Sequence, residues 1–188
     1  GKLTFRYSEH PLKNGPEPHR YPDRFLRWHW LYPQNKQLYL LCASAYAAED
    51  YRKFHLFKDR AYKWGYFPET LQYRDINALI HKKAHHSLIW AARYLDWKHP
   101  ETALEIARRL KRDGYAFELV MIGNGQLLEQ TTHTIRQEGL DDVIRIPGAL
   151  SPEEVRKYME RAQIHIFTSD HREGWGAVLN ESMASACV

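Results

Sequence analysis

Two glutamates near the end of the sequence, Glu173 and Glu181, flank a short glycine-rich segment that reads Gly174-Trp175-Gly176. From Ala177 onward most residues are strong helix formers, so a helix is predicted to begin there. Glycine allows a backbone to approach a ligand closely, and a helix N-terminus presents unpaired N–H groups that favour a phosphate or a sugar oxygen. The two carboxylates are about 12 Å apart by helical rise. This separation suits one extended ligand held at two points better than an acid and a base acting on one bond.

The elements that position this segment alternate regularly between strand and helix. Apolar runs at 87–92, 117–122, 143–146 and 164–167 predict strands. Helices are predicted at 100–112, from 125 to 138 and at 152–161, and the last begins with the capping box Ser151-Pro152-Glu153-Glu154. Alternation at such short intervals predicts an α/β fold with a parallel, doubly wound sheet.

Four predicted loops follow the carboxyl ends of these strands, which is where such sheets bind their ligands. The first loop carries two cations, the second two glycines, the third a short apolar turn, and the fourth the segment at Glu173. Together they suit an anionic, hydroxyl-rich ligand. In chain order the residues are Arg93 and Lys98; Gly123 and Gly125; Gly148, Ala149 and Leu150; and Glu173 to Gly176.

The glutamate segment resembles the E-x7-E motif of the family-4 retaining glycosyltransferases, which have two Rossmann-like domains in the GT-B architecture. The matching residues are Glu173, Gly174, Trp175, Gly176, Glu181, Ser182, Met183 and Ala184. The whole stretch 89–183 resembles the donor domain of these enzymes in the order and spacing of four separated motifs. The first half of the sequence is a weaker match and resembles the second part of their acceptor domain.

The resemblance implies a role for each residue of the four loops. Arg93 and Lys98 would bind the diphosphate of a nucleotide-sugar, Glu173 would lie against the donor sugar, and Glu181 would accept hydrogen bonds from the ribose. The other donor-binding positions would approach the donor with their backbone or line the nucleobase: Gly123, Gly125, Gly148, Ala149, Leu150, Gly174, Trp175, Gly176 and Ala177. Two cations and a helix N-terminus would stabilise the leaving diphosphate, so neither a metal ion nor a cofactor is expected.

The sequence departs from the commoner family pattern at three sites. Ala92 stands before Arg93 and His99 follows Lys98, where glycine is frequent in the family, and Ser185-Ala186 replaces the usual Cys-Gly or Ala-Gly. Loops tolerate such changes, so they put only the detailed donor geometry in doubt.

Composition narrows the class of protein. The 188 residues are 44% hydrophobic with a net charge of +4, and acidic and basic residues alternate along most of the chain. We therefore expect no nucleic-acid partner, because such binders concentrate their charge on one face. Two cysteines cannot build a disulfide framework, and no apolar run has the length of a membrane span, which together predict a cytoplasmic protein.

The first half contains a basic and aromatic segment that begins near Asp23, a predicted helix cap, and carries Phe25, Leu26 and Trp30. The segment also holds Arg20, Arg24 and Arg27. It suits peripheral contact with a membrane at its inner face, contact with an anionic acceptor, or packing of its aromatic residues on the sheet with the arginines solvated. We favour packing on the sheet.

We predict three parts: residues 1–68 from the acceptor-side domain, an interdomain linker at 69–86, and the donor-binding domain at 87–188. Further strands are predicted at 3–7, 38–42 and 62–67 and a helix at 45–57. His81 and His85 are interpreted as solvated linker residues rather than metal ligands, because no third ligand stands nearby. Both ends look cut, so we expect an internal piece of a larger protein.

The resulting hypothesis is a hexosyltransferase that moves a sugar, with retention, from a nucleoside-diphosphate donor to a glycan or lipid-linked acceptor in polysaccharide or cell-envelope synthesis. Two alternatives stay open: a nucleotide-sugar epimerase or phosphorylase of the same architecture, and a non-catalytic module that binds a nucleotide or a partner protein.

Overall fold

The structure of the chain is a computed structural model that describes residues 2–32, 37–69 and 71–188. It divides into two compact units, and each is described by itself below. The first unit comprises Gly1–Phe67 and His171–Trp175, and the second comprises Pro68–Asp170 and Gly176–Val188. Both are α/β structures with parallel sheets, as the sequence predicts.

The first unit contains the strands β1 (Thr4–Ser8), β2 (Leu38–Cys42) and β3 (Ala61–Lys63) and the helices α1 (Tyr21–Leu31) and α2 (Ala47–Arg52). The strands are parallel in the order β1-β2-β3. Alternate residues of β2 face the helices, so Leu40 and Cys42 are buried with the aromatic side chains of the helical layer. The buried members of this core are Leu12, Leu40, Cys42, Ala47, Tyr51, Phe54, Leu56 and Phe57.

The predictions for α1 are wrong in two respects. The helix begins at Tyr21 rather than after Asp23, which lies in its first turn and caps nothing. Leu26 and Trp30 do not pack on the sheet, since 71% and 81% of their surfaces are exposed, and Phe25 is also exposed. Tyr21 and Trp28 pack on the core in their place. Seven residues are two helical turns, so this pair shares the inward face.

The second unit contains the helix α3 (Ile76–Lys82), the strand β4 (Ser87–Ala91), the helix α4 (Pro100–Arg112), the strand β5 (Glu118–Ile122) and the helix α5 (Leu128–Gln137). These are followed by the strand β6 (Ile144–Gly148), the helix α6 (Pro152–Arg161), the strand β7 (Ile164–His165) and the helix α7 (Ala177–Ala184). The four strands are parallel in the order β6-β5-β4-β7.

Helices cover both faces of the second sheet, which explains why β4 is buried along its whole length. Leu88 and Trp90 pack with α4 and α5, whereas Ile89 and Ala91 pack with α6 and the end of the chain. This division follows from the two-residue period of a strand, which sends successive side chains to opposite faces. Continuous apolar runs such as 87–92 therefore indicate central strands of a parallel sheet.

The most local predictions are confirmed. The helix α6 begins with the expected capping box, in which Glu154 N donates to Ser151 Oγ at 3.3 Å and Ser151 N donates to Glu154 Oε2 at 2.9 Å. The helix α4 has Pro100 in its first turn, as predicted. Both signals need only residues within one turn of the helix end, so they are independent of the rest of the fold.

The segment at 69–86, predicted as a linker, contains the helix α3 and belongs to the second unit, with Thr70 outside the described residues. Its Lys83 is buried rather than solvated. The Lys83 ammonium donates to the carbonyls of Ala162 at 2.6 Å, Ser185 at 2.8 Å and Met159 at 3.0 Å. One side chain thus links the carboxyl ends of α6 and α7, where a positive charge is favoured.

Candidate active site

Loops at the carboxyl edge of the second sheet are joined by backbone hydrogen bonds. Gly123 N, after β5, donates to Gly148 O at the end of β6 at 2.9 Å. Tyr94 N, after β4, donates to Asn124 O at 2.7 Å, and Leu127 N donates back to Tyr94 O at 3.0 Å. Three of the four loops that the sequence singles out are therefore in direct contact.

The two glycines after β5 stand where any side chain would collide with the loop after β4. Gly123 has φ of 142°, and an added Cβ would lie 1.9 Å from Ala92 O. Gly125 has φ of 146°, and its Cβ would lie 2.5 Å from Tyr94 O. Both positions require glycine for packing alone. Their backbone approach to a donor stays a prediction.

The cations Arg93 and Lys98 lie beside one aromatic ring. The Lys98 ammonium is 4.3 Å and the Arg93 guanidinium carbon 5.7 Å from the ring centroid of Trp97. Only 8% of the Lys98 surface is exposed. Cation–π contacts of this kind hold both charges near the same point of the loop. The structure thus brings together two residues that the sequence assigns to one anionic group.

The side chain of His99 extends this loop in a way that the sequence does not reveal. The residue has a left-handed backbone (φ 48°) that glycine adopts more easily, which accounts for the family's frequent glycine at this position. Its imidazole lies 2.7 Å from Glu101 Oε1 and 3.3 Å from Asp170 Oδ2. These hydrogen bonds, the one to Glu101 first, raise the pKa of His99. Ala186, at another departure from the glycine pattern, has the same backbone form (φ 58°).

The loop after β7 packs on the same turn. Thr168 Oγ1 donates to Lys98 O at 2.5 Å and accepts from Trp90 Nε1 at 2.8 Å. Further along, Gly176 has φ of 76°, and an added Cβ would lie 2.7 Å from the Phe167 ring. Only glycine therefore fits at this position, which is the N-cap of α7 and directly precedes its first residue, Ala177.

Glu181, in the second turn of α7, lines a pocket of about 250 Å³. Leu150, Val155 and Met159 form its apolar wall, and Arg156 supplies a cation. A pocket that combines apolar walls with a few polar groups is the common form of a small-molecule site. The sequence singles out Leu150 and Glu181; the residues of α6 that complete the wall are missed, because its helical pattern predicts only burial.

The helix α7 is attached to β7 by a buried pair. Ser182 Oγ lies 3.0 Å from His165 Nδ1 and 2.9 Å from Leu179 O. Burial lowers the pKa of His165 to about 4, so the imidazole is neutral at physiological pH. A neutral ring and a hydroxyl can satisfy each other in the core, and this pair fixes α7 against the sheet.

Glu173, Gly174 and Trp175 belong to the first unit. Gly174 lies against Glu9, because an added Cβ would be 2.0 Å from the Glu9 carboxyl carbon. The Trp175 ring covers Gly65, where an added Cβ would lie 2.6 Å from the indole. The candidate loop is thus held by the residues that follow β1 and β3. Neither contact is indicated by the spacing of these residues, because Glu9 and Gly65 are far from the loop in the sequence.

Within the residues that the structure describes, no group of three or more His, Cys, Asp and Glu side chains is arranged to hold a metal ion. In the same part of the chain, no helix is both long and apolar enough to cross a membrane.

Comparison with known proteins identifies the family. The profile of the family described as glycosyl transferases group 1 matches residues 74–188, which is more than half of the chain. The chain belongs to the glycosyl transferases group 1 family. The matched region of this group 1 member contains every predicted site residue.

The names of curated relatives of this group 1 member refer to polysaccharide synthesis. The amylovoran biosynthesis glycosyltransferase AmsK of Erwinia amylovora is 31% identical over 102 residues, which are 52% of this chain and 25% of that protein. The structure is similar to Anabaena HepE in complex with UDP, with a TM-score of 0.70, 11% identity, and coverage of 97% of this chain and 51% of that one. It is also similar to the pneumococcal O-GlcNAc transferase GtfA in complex with UDP and GlcNAc, with a TM-score of 0.66, 14% identity, and coverage of 97% and 36%.

These likenesses establish the GT-B fold. The chain spans about a quarter of the length of the curated relatives it matches and between a third and a half of these two structural neighbours. Substrates and activity therefore belong to the proposal that follows.

Proposed function

We propose that this protein is a retaining glycosyltransferase that moves a hexose from a nucleoside-diphosphate-sugar to a hydroxyl of a glycan or lipid-linked acceptor in polysaccharide synthesis. The observation that carries the proposal is the pair of cations, Arg93 and Lys98, on one turn at the ligand-binding edge of the second sheet. Both cations lie beside the Trp97 ring, which concentrates positive charge on one turn. A diphosphate supplies the negative charge that two such cations bind best.

The pair acts on the leaving group. As the bond between the sugar C1 and the phosphate oxygen breaks, negative charge develops on the diphosphate, and fixed cations stabilise it more than they stabilise the bound donor. The acceptor oxygen forms the new bond to C1, and its proton goes to the leaving diphosphate. In this scheme Glu173 positions the donor sugar, and no metal ion takes part.

The nucleoside is assigned to the pocket at Glu181. The Glu181 carboxylate can accept hydrogen bonds from two ribose hydroxyls, while Leu150 and Val155 offer apolar contact to a base. We propose a uridine nucleotide as the first candidate, because HepE and GtfA are described with UDP. Gly148 and Ala149 then line the base, and the backbone of Gly123, Gly125 and Gly174 to Ala177 approaches the donor.

A nucleotide-sugar screen on the intact protein tests the proposal. UDP-sugars and their guanosine and adenosine counterparts are incubated with a mixture of glycan acceptors, and products are detected by mass. A transferred glycoside supports a glycosyltransferase. An isomerised donor would indicate an epimerase, a sugar phosphate a phosphorylase, and the absence of nucleotide binding by folded protein a non-catalytic module. EDTA is expected to leave the rate unchanged.

We also propose peripheral contact with the cytoplasmic face of a membrane through α1. Leu26 and Trp30 are one turn apart and exposed, and the exposed Arg27 lies beside them. Apolar side chains flanked by a cation suit an anionic bilayer surface. Trp30→Ser is expected to weaken co-sedimentation with phosphatidylglycerol vesicles, whereas Trp64→Ser, at another exposed tryptophan of this unit, is the control. Equal binding by all three proteins would exclude α1.

A further inference from the structure

A pocket of the first unit has a volume of about 420 Å³ and lies beyond the carboxyl ends of β1 and β2. Its walls come from the loop after β1, the start of α2 and the segment at His171. The residues that give it chemical character are His10, Tyr46, Glu49, Asp50, Lys53 and His171. The carboxyl edge of a parallel sheet is the usual place for a ligand, so this pocket is a candidate binding site.

The charge of the pocket disfavours an anion. Asp50 is almost fully buried and accepts hydrogen bonds from Leu12 N at 3.1 Å and from Lys53 Nζ at 3.0 Å. Glu49 lies 3.9 Å from the same ammonium. The one lysine of the pocket therefore has two carboxylates beside it, and a phosphate brought there would meet a negative surface.

The remaining groups suit a sugar ring. Tyr46 has 56% of its surface exposed, and its ring meets the edge of the buried His10 at a centroid distance of 5.7 Å. An aromatic face packs against the C–H groups of a pyranose, while the hydroxyls find acceptors in nearby carboxylates. Glu49 provides such acceptors at the rim of the pocket.

His10 connects the pocket to the loop that carries Glu173. Its Nε2 lies 2.8 Å from His171 O, and a carbonyl can only accept, so Nε2 carries the proton. In the neutral ring Nδ1 then accepts from the hydroxyl of Ser44 at 2.9 Å. Both nitrogens are engaged, which makes His10 a positioning residue. It fixes His171, two residues before Glu173 in the sequence, at the wall of the pocket.

We propose that this pocket binds an uncharged sugar residue of the acceptor, with Tyr46 as its platform and Glu49 as its hydroxyl acceptor. The inference rests on the proposed function and deepens it, since it assigns the acceptor hydroxyl to a neutral glycan rather than to the diphosphate end of a lipid carrier. The pocket includes His171, which belongs to the same segment of the first unit as Glu173.

Saturation-transfer NMR on the intact protein tests this assignment. The probes are the methyl glycosides of glucose, galactose, mannose and N-acetylglucosamine, with methyl glucuronide as the charged counterpart of methyl glucoside. At least one neutral glycoside is expected to show transfer, and methyl glucuronide about fivefold less than methyl glucoside. Inorganic pyrophosphate is expected not to displace the neutral glycoside.

Substitutions test whether the saturation transfer arises from binding in this pocket. Tyr46→Ala and Glu49→Gln are both on exposed side chains and are expected to reduce the transfer by about fivefold or more. Tyr115→Ala, at a comparably exposed tyrosine of the second unit, is expected to leave it unchanged. The assignment is overturned by absence of transfer to every neutral glycoside, by equal signals in all variants, or by displacement with pyrophosphate.

A UDP titration of the same samples separates this inference from the proposed function. UDP is expected to bind the original chain and Tyr46→Ala equally, because Tyr46 belongs to the first unit and the nucleoside pocket to the second. Normal UDP binding with failure of the glycoside experiment would overturn the acceptor site alone. Failure of UDP and the other nucleotides to bind would overturn the donor assignment, whatever the glycosides do.

Discussion

Acidification is expected to destabilise the second unit through His165. The side chain is 9% exposed, and burial lowers its pKa from 6.5 to about 4. The folded chain keeps the ring neutral, while the unfolded chain binds a proton as the pH falls below about 6.5. The unfolded state therefore gains protons first. The stabilisation is fully present above this pH and is lost progressively as the pH falls toward 4.

The size of the pKa shift of His165 sets the loss of unfolding free energy on acidification. The difference between the two pKa values corresponds to about 3 kcal/mol of unfolding free energy when the pH has fallen below both of them. At about pH 5, where folded His165 is still mostly neutral, the loss relative to about pH 7.5 is about 2 kcal/mol. Other groups also titrate over this range, so the chain must be compared with a variant.

The matched variant is His165→Asn, whose amide can replace Nδ1 in the hydrogen bond to Ser182 but does not titrate. Urea unfolding followed by circular dichroism is measured for both proteins at the two pH values. We expect the original chain to lose about 2 kcal/mol more than the variant between them. Equal losses in the two proteins would refute the reasoning and would mean that His165 is not held neutral by burial.

Three further substitutions test the packing around the site by urea unfolding. Gly123→Ala should lower the unfolding free energy by about 2–4 kcal/mol, because the added Cβ would collide with Ala92 O. The control Gly114→Ala has open space around the added Cβ and should lower the unfolding free energy by only about 1 kcal/mol. Equal losses in the two variants would contradict the proposed collision. Lys83→Met should cost about 2–4 kcal/mol by leaving buried carbonyls without a donor, and a change below about 0.5 kcal/mol would show that water replaces the ammonium. Ser151→Ala should cost about 1 kcal/mol through loss of the helix cap, and an unchanged midpoint would show that the capping box contributes nothing.

The parts of the fold that the sequence predicts are those decided locally. The strand β4 is predicted by a continuous apolar run, the helix α4 by a proline at its start, and the helix α6 by its capping box. All three are confirmed, because each signal consists of neighbouring residues. The inward face of α1 is mispredicted because several faces of that helix carry aromatic residues. Only the position of the core selects Trp28 over Trp30.

The candidate site also combines features that the sequence predicts with contacts that it does not predict. The resemblance implies a shared role for Arg93 and Lys98, and the structure brings them to one ring because both lie on the loop around Trp97. The collision partner of Gly174 and Asp170, one of the two carboxylates beside His99, come from distant segments. No spacing in the sequence indicates such pairs.

The measurement that tests the central claim most directly is the rate of sugar transfer after removal of each cation. Arg93→Ala and Lys98→Ala are compared in the intact protein with Arg112→Ala, an exposed arginine at the end of α4. Loss of charge stabilisation at the leaving diphosphate predicts that each of the first two lowers turnover by about a hundredfold or more, while Arg112→Ala retains the original rate. Unchanged turnover in Arg93→Ala and Lys98→Ala would contradict the account.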